Sequence, residues 1–175
     1  MGKILPNKPV KLIIGLIFKD KETLLKATAT LSRHFGKIDF SSETIPFNAT
    51  DYYAQEIGTN LSRKFITFEK LIRTDSLAKI KLLTNKIEDR LSLKEKRQIN
   101  IDPGYLTLAK LVLASTKDFV HRIYLGRGIY AEVTLFYKNN SFQPGNLTYP
   151  DYRSPDCITM FNRIRDIYAE QIKKI

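Results

Sequence analysis

Residues 10–18, Val-Lys-Leu-Ile-Ile-Gly-Leu-Ile-Phe, are apolar on both alternations and rich in β-branched side chains. Such a run predicts a central strand covered on both faces. Gly15 within it allows another segment to approach closely. The period then changes. Asp20 suits an N-cap, Leu24, Ala27, Leu31 and Phe35 recur at helical spacing, and Gly36 supplies the stop. Residues 38–47 alternate loosely and carry Pro46, the pattern of a strand near a sheet edge. A short helix is expected over residues 51–58. Residues 64–71 set Phe65, Thr67 and Glu69 against Ile66, Phe68 and Lys70, which predicts a strand. Over residues 76–93, Leu77, Ile80, Thr84, Ile87 and Leu91 mark one helix face, with Lys79, Lys86 and Arg90 on another.

Residues 98–101 read as a short strand and Asp102-Pro103-Gly104 as a turn by composition, followed by a helix over residues 105–115. Residues 121–125 and 129–137 flank Gly126-Arg127-Gly128, the signature of a tight hairpin. Ser154-Pro155-Asp156 starts a last helix, made amphipathic by Ile158, Phe161, Ile164, Tyr168 and Ile172. Strand, helix, strand, strand, helix, strand is the order of a ferredoxin-like core. The expectation is one α+β domain over residues 1–175, that core being extended by a helix, a β-hairpin and a C-terminal helix.

Composition narrows the function. With 43% hydrophobic residues in 175, the chain is long enough and apolar enough for a sizeable core. Cys157 is the single cysteine, which excludes an internal disulfide and argues against a thiolate zinc site. The apolar run 12–18 is too short for a signal core and has no cleavage site after it. No apolar stretch approaches the roughly 18 residues that span a bilayer. A cytoplasmic protein with no membrane partner is expected. Lys and Arg number 29 against 18 Asp and Glu, a formal charge of +11. That field attracts polyanions, although lysine-rich composition alone also produces it.

No GxxxxGK[ST] loop, GxGxxG fingerprint or HExxH helix occurs. Asn85-Lys86-Ile87-Glu88 and Thr116-Lys117-Asp118 faintly echo a guanine-reading motif, but so short an echo without a phosphate loop is expected by chance. The polar stretch 100–132 stands out instead. Asp102 and Gly104, at the expected turn and helix start, can present backbone N–H groups to an anion. Lys110 and Lys117 add charge. His121, Arg122, Tyr124 and Glu132 fall on the two strands of the hairpin, with His121 and Arg122 on opposite faces. A histidine beside a carboxylate suits general acid–base work, so His121 and Glu132 are the catalytic candidates. Each also has a structural reading: Asp102 as a helix cap, Glu132 as a cross-strand partner of a basic residue, His121 as a satisfied histidine. A second group, Asp51-Tyr52-Tyr53 and Tyr149-Pro150-Asp151-Tyr152-Arg153, sets tyrosines beside acids, a combination able to stack on a ring and take its hydroxyls. No metal site or cofactor is implied.

Lys8-Pro-Val-Lys-Leu12, Asp51-Tyr-Tyr53, the run Asn100-Ile-Asp-Pro-Gly-Tyr-Leu-Thr-Leu-Ala-Lys-Leu-Val-Leu-Ala114, His121-Arg-Ile-Tyr-Leu-Gly126, Gly128-Ile-Tyr-Ala-Glu-Val-Thr-Leu135 and Thr148-Tyr-Pro-Asp-Tyr-Arg153 carry a resemblance. Together they resemble the prokaryotic family named domain of unknown function 4416, over nearly the whole chain. The resemblance implies a stand-alone cytoplasmic protein and brings no established activity. Its blocks fall on the polar segments above, which implies that Asp, His, Tyr, Glu and Arg there line a ligand site. The expected function is binding of a small anionic, phosphorylated or nucleotide-like ligand, with its processing left open. Asp102, Gly104 and Lys110 would hold the anion, Lys117, Arg122 and Tyr124 would add to the site, and Tyr149, Asp151 and Arg153 would close the rim. The alternative is an RNA- or nucleic-acid-binding module using Lys79, Lys86 and Arg90.

Overall fold

The computed structural model describes residues 2–3, 6–47 and 56–175. Among these, three α-helices and nine strands form an α+β fold around one antiparallel sheet. The strands are β1 (Lys11–Phe18), β2 (Ile38–Ser41), β3 (Ile45–Phe47), β4 (Leu61–Phe68), β5 (Ile99–Leu106), β6 (Lys110–Ser115), β7 (Ile123–Gly126), β8 (Ile129–Lys138) and β9 (Ser141–Pro144). The helices are α1 (Lys21–Phe35), α2 (Leu77–Leu91) and α3 (Pro155–Ile172). The sheet runs β2-β4-β1-β5-β6-β8-β7, with β3 also on β4 and β9 also on β8.

β1 is central and wholly buried because both its alternations are apolar. Leu12, Ile14, Leu16 and Phe18 pack under α1 and α2 with Ala27, Leu31, Ile80 and Ile87. Ile13 faces the other way, into a core with Phe65, Leu113, Phe161 and Ile164 that α3 covers. Lys11 is the polar member of this strand. Its buried ammonium is held by Asp39, the Phe68 carbonyl at 2.8 Å and Gln171 Oε1 at 2.8 Å, which ties β2, β4 and α3 to β1.

The caps act as their side chains require. Asp20 accepts from the Thr23 N–H at 2.8 Å, and Ser154 from the Cys157 N–H at 3.2 Å. Gly36 ends α1 at φ 93°, a conformation open mainly to glycine. Arg127 and Gly128 turn the β7–β8 hairpin with φ 58° and 73°, the left-handed pair that matches strand twist. The loose strand over residues 38–47 is two short strands at the edge, both on β4, and the strand expected over 64–71 begins and ends three residues earlier. The helix expected over 51–58 lies mostly outside the described residues.

Residues 102–115 correct the sequence reading. Asp102-Pro103-Gly104 is not a turn, and no helix follows it: β5 runs straight through, and β6 returns antiparallel to it. Leu111, Val112, Leu113 and Ala114 are all buried, so this run carries no period to separate strand from helix. Pro103 fits because its ring nitrogen points where no ladder bond is needed. The Ile101 N–H faces away from β1, as position 103 does two residues on, and β6 joins only at Gly104↔Leu113. Gly104 is the contact point. A Cβ there would stand 2.4 Å from the Val112 carbonyl oxygen.

Candidate functional site

The site begins as a gap in the sheet. β5 and β6 pair only from Gly104↔Leu113 to Leu106↔Leu111, and beyond Gly104 they part. The Ile101 backbone is left facing the gap, and a buried peptide group must find partners. α2 supplies them. Glu88 Oε1 accepts the Ile101 N–H at 2.5 Å, and Lys81 Nζ donates to the Ile101 carbonyl at 3.1 Å. Both side chains stand on the apolar stripe of α2, one helical step from Leu77 and Thr84, which carries them into the fold and not to solvent.

Register then sets further groups on the α3 face of the sheet, since directly paired residues share a face. Ile17 pairs with both Arg63 and Asn100, Gly15 with Asp102, and Leu113 with both Gly104 and Glu132. The result is a cleft of 690 Å³. Its walls are α2, the start of β5, residues 113–117 of β6 and its exit, Glu132 of β8, and the turn Tyr149 to Tyr152.

Three polar groups line it. Around Arg63, the guanidinium meets Asp151 at 2.5 Å and the Tyr152 hydroxyl at 2.7 Å, and lies over the Phe65 ring at 4.7 Å. Gly15 leaves room for this, because a Cβ there would be 2.9 Å from Arg63 Nη2. Around Asp102, Lys81 donates at 3.2 Å and the Asn100 amide at 2.6 Å. Arg97 donates to Asn100 Oδ1 at 2.9 Å and approaches Glu56 at 3.3 Å and Glu88 at 3.7 Å. Around Glu132, one carboxylate oxygen takes both His121 Nε2 at 2.9 Å and Arg122 Nε at 2.7 Å. Arg122 also donates to the Tyr149 hydroxyl at 2.5 Å.

Environment drives the carboxyls apart. Burial lifts Glu88 to about 7, against the pull of Lys81, the Ile101 N–H and Arg97. Burial also acts upward on Asp102, but Lys81, Arg63 and the Asn100 amide outweigh it and hold that carboxyl below its ordinary value. Asp151 is raised by burial despite Arg63, and Tyr149 by burial and by the nearby Glu132 charge.

Of the residues expected from sequence, Asp102, Lys117, Glu132, Tyr149 and Asp151 line the cleft. His121 and Arg122 stand behind Glu132. The sequence placed these two on opposite faces, yet both reach one oxygen, because residues 119–122 form a turn closed by Arg122 N–H to the Phe119 carbonyl and strand alternation does not apply there. Gly104 packs against β6, and Lys110 is exposed at the far end of that strand, opposite Phe136. Tyr124 lies on the hairpin against Tyr130, its hydroxyl accepting the Gly128 N–H at 3.2 Å. Arg153 braces the loop before α3, donating to the Thr148 and Asn146 carbonyls at 2.6 and 2.7 Å. These four do not line the cleft, and with no helix after Asp102 there is no helix N-terminus to hold an anion. Asp51, Tyr52 and Tyr53 lie outside the described residues.

The family model described as Domain of unknown function (DUF4416) matches residues 8–168. The chain belongs to this family. No curated protein and no solved structure matches it. Every cleft residue of this family member falls within the matched span.

Arg63, Lys81, Glu88 and Arg97 escaped the sequence reading as site residues, and Asn100 entered it only as the first residue of the polar stretch. A signal existed for two of them: Lys81 and Glu88 are charged residues at core positions of an amphipathic helix, and buried charges there need partners. Arg63 and Arg97 carried none, because strand register and loop path decide what they meet. Among the described residues no three His, Cys, Asp or Glu side chains are grouped as metal ligands, and no helix is long and apolar enough to cross a membrane.

Proposed function

We propose that the cleft binds a small anionic ligand of the phosphorylated or nucleotide-like class. One observation carries the reading: the sheet opens between β5 and β6, and charged side chains fill the opening where apolar ones would seal it. Arg63 (3% exposed), Lys81 (5%), Glu88 (5%) and Glu132 (3%) are buried there. Buried ion pairs are a weak source of stability, and apolar replacements of similar volume do as well or better. Retaining them in the wall of one concavity fits a site. Arg97, with one hydrogen bond and two longer carboxylate contacts, is placed to turn its remaining N–H groups to an anion, beside Lys81 and Lys117. Asp102, Asn100 and Asp89 offer acceptors and donors to ligand hydroxyls, and Tyr149 at the rim offers a ring to stack on.

Glu132 is the group of the His121–Glu132 pair that reaches the cleft; His121 would orient it. The core is read as ferredoxin-like, supported by the order β2-β4-β1-β5 with α1 and α2 on one face. A single domain in a reducing, cytoplasmic setting completes the reading, supported by the lone buried thiol of Cys157.

Thermal unfolding against a panel of nucleotides and phosphorylated metabolites tests it. A true ligand at about a hundred times its Kd raises Tm by about 5–10 °C, and Arg97→Gln removes most of that rise. A flat response across the panel overturns the reading.

A further inference from the structure

We propose that the cleft takes up its anion together with a proton, and that Glu88 is the group that carries it. This deepens the anion-binding reading and rests on it. Glu88 Oε1 is fixed by the Ile101 N–H at 2.5 Å, so the carboxyl cannot swing away. Its Oε2 has the Arg97 guanidinium at 3.7 Å, beyond hydrogen-bond distance, and Glu88 is one of the residues that line the cleft. The charged groups that face it come from each side. Lys81 and Asp89 share its helix, Asp102 lies on β5, and Arg97 stands between α2 and β5 with Glu56 behind it. Lys117 after β6, Glu132 of β8 and the Arg63–Asp151 pair line the same cleft.

Lys81 and Arg97 are the cations nearest Glu88, and they are also the cations an anion would engage. They cannot serve both charges equally. An anion seated on them cancels the positive field that favours the ionised form of Glu88 and adds a like charge beside it. Both effects favour the protonated carboxyl, which then becomes a donor: Oε2–H can hydrogen-bond the anion that the carboxylate would repel. The proton comes from solvent, a fraction of one per anion on average because part of the population already carries it, and no bond of the ligand changes. Burial has already lifted the Glu88 carboxyl to about 7, so the exchange falls in an accessible range. Linkage makes the effect reciprocal: lowering pH strengthens anion binding as much as anion binding raises the carboxyl's proton affinity.

Sulfate is the probe, since its own charge is constant across the range. Isothermal titration calorimetry of sodium sulfate into the full chain, from pH 5.5 to 8.5, reads the affinity. Repeating one neutral pH in two buffers of different ionisation enthalpy counts the protons. The expected result is a level affinity on the acid side and a fall of about threefold to tenfold by pH 8.5, with a net uptake of about 0.3 to 0.5 proton per anion near neutral pH. Glu88→Gln keeps the acceptor for the Ile101 N–H and is expected to hold the acid-side affinity at every pH. Sulfate bound with unchanged affinity and no proton uptake overturns the coupling and leaves the anion site standing. Persisting pH dependence in Glu88→Gln overturns the assignment to Glu88. Sulfate that binds at no pH overturns the coupling and the anion site together. The proton count on the unaltered chain decides the matter even if the variant folds poorly.

Discussion

Glu88 carries two opposed demands. Its carboxylate satisfies the Ile101 N–H that the splayed sheet leaves bare, and its burial penalises the charge that does so. With the folded-state value near 7 against an ordinary 4.5, the native chain keeps a proton that the unfolded chain releases between those values. Glu88 therefore contributes most to stability below pH 4.5, loses that contribution as pH rises through 7, and is level above it. Glu88→Gln has nothing to titrate. Denaturant unfolding of both proteins at a series of pH values should show the variant gaining on the unaltered chain by about 3 kcal/mol between pH 4.5 and 8. Asp102 works in the opposite direction and Asp151 in the same one; both are present in each protein, so their own contributions largely cancel and what is left of Asp102 is its coupling to Glu88. A difference independent of pH would show that Glu88 is not a buried acid. At this scale the sequence was half legible. Asp102, Glu132, Tyr149 and Asp151 were found as polar residues clustered along the chain. Arg63 and Arg97 were not, because they reach the cleft through strand pairing and loop path, which leave no local trace.

At the scale of elements, caps and turns were the most legible features, since each is decided by side chains within three or four residues. Asp20, Gly36, Ser154 and the Gly126-Arg127-Gly128 turn all act where the sequence put them. The failure at residues 102–115 has the converse cause. Pro103 and Gly104 were read as a turn by composition, but Pro103 is tolerated by the local absence of β6, and Gly104 is required by its presence one residue later. Both facts belong to the pairing of two strands. Arg127 holds φ 58°, which a β-carbon resists and an asparagine side chain tolerates better. Arg127→Asn should raise stability by about 0.5–1 kcal/mol, read as a higher denaturant midpoint with an unchanged slope. A loss of stability would mean that the arginine side chain itself supports the turn.

Over the whole molecule, the formal charge of +11 looked like the plainest clue to function, and its distribution weakens it. The cations buried at the cleft are matched by acids, Arg63 by Asp151 and Lys81 by Asp102, and Arg122 behind it is matched by Glu132. The excess lies elsewhere, on exposed positions such as Lys79, Lys86 and Arg90 of α2. A nucleic-acid module would draw its affinity from that exposed surface, because phosphate contacts dominate such binding and fade with salt. A cleft for a small anion would draw little from it. At physiological ionic strength, charges more than about 8 Å apart across solvent are largely screened from one another. Replacing Lys79, Lys86 and Arg90 together by Glu separates the two. The small-anion reading expects sulfate affinity within about twofold of the unaltered chain in 0.15 M salt, while Arg97→Gln removes most of it. The nucleic-acid reading expects the reverse: the triple reversal removes binding to a mixed-sequence RNA, and Arg97→Gln leaves it intact. The two variants act on opposite sides of α2, so one pair of titrations decides which face of that helix the chain uses.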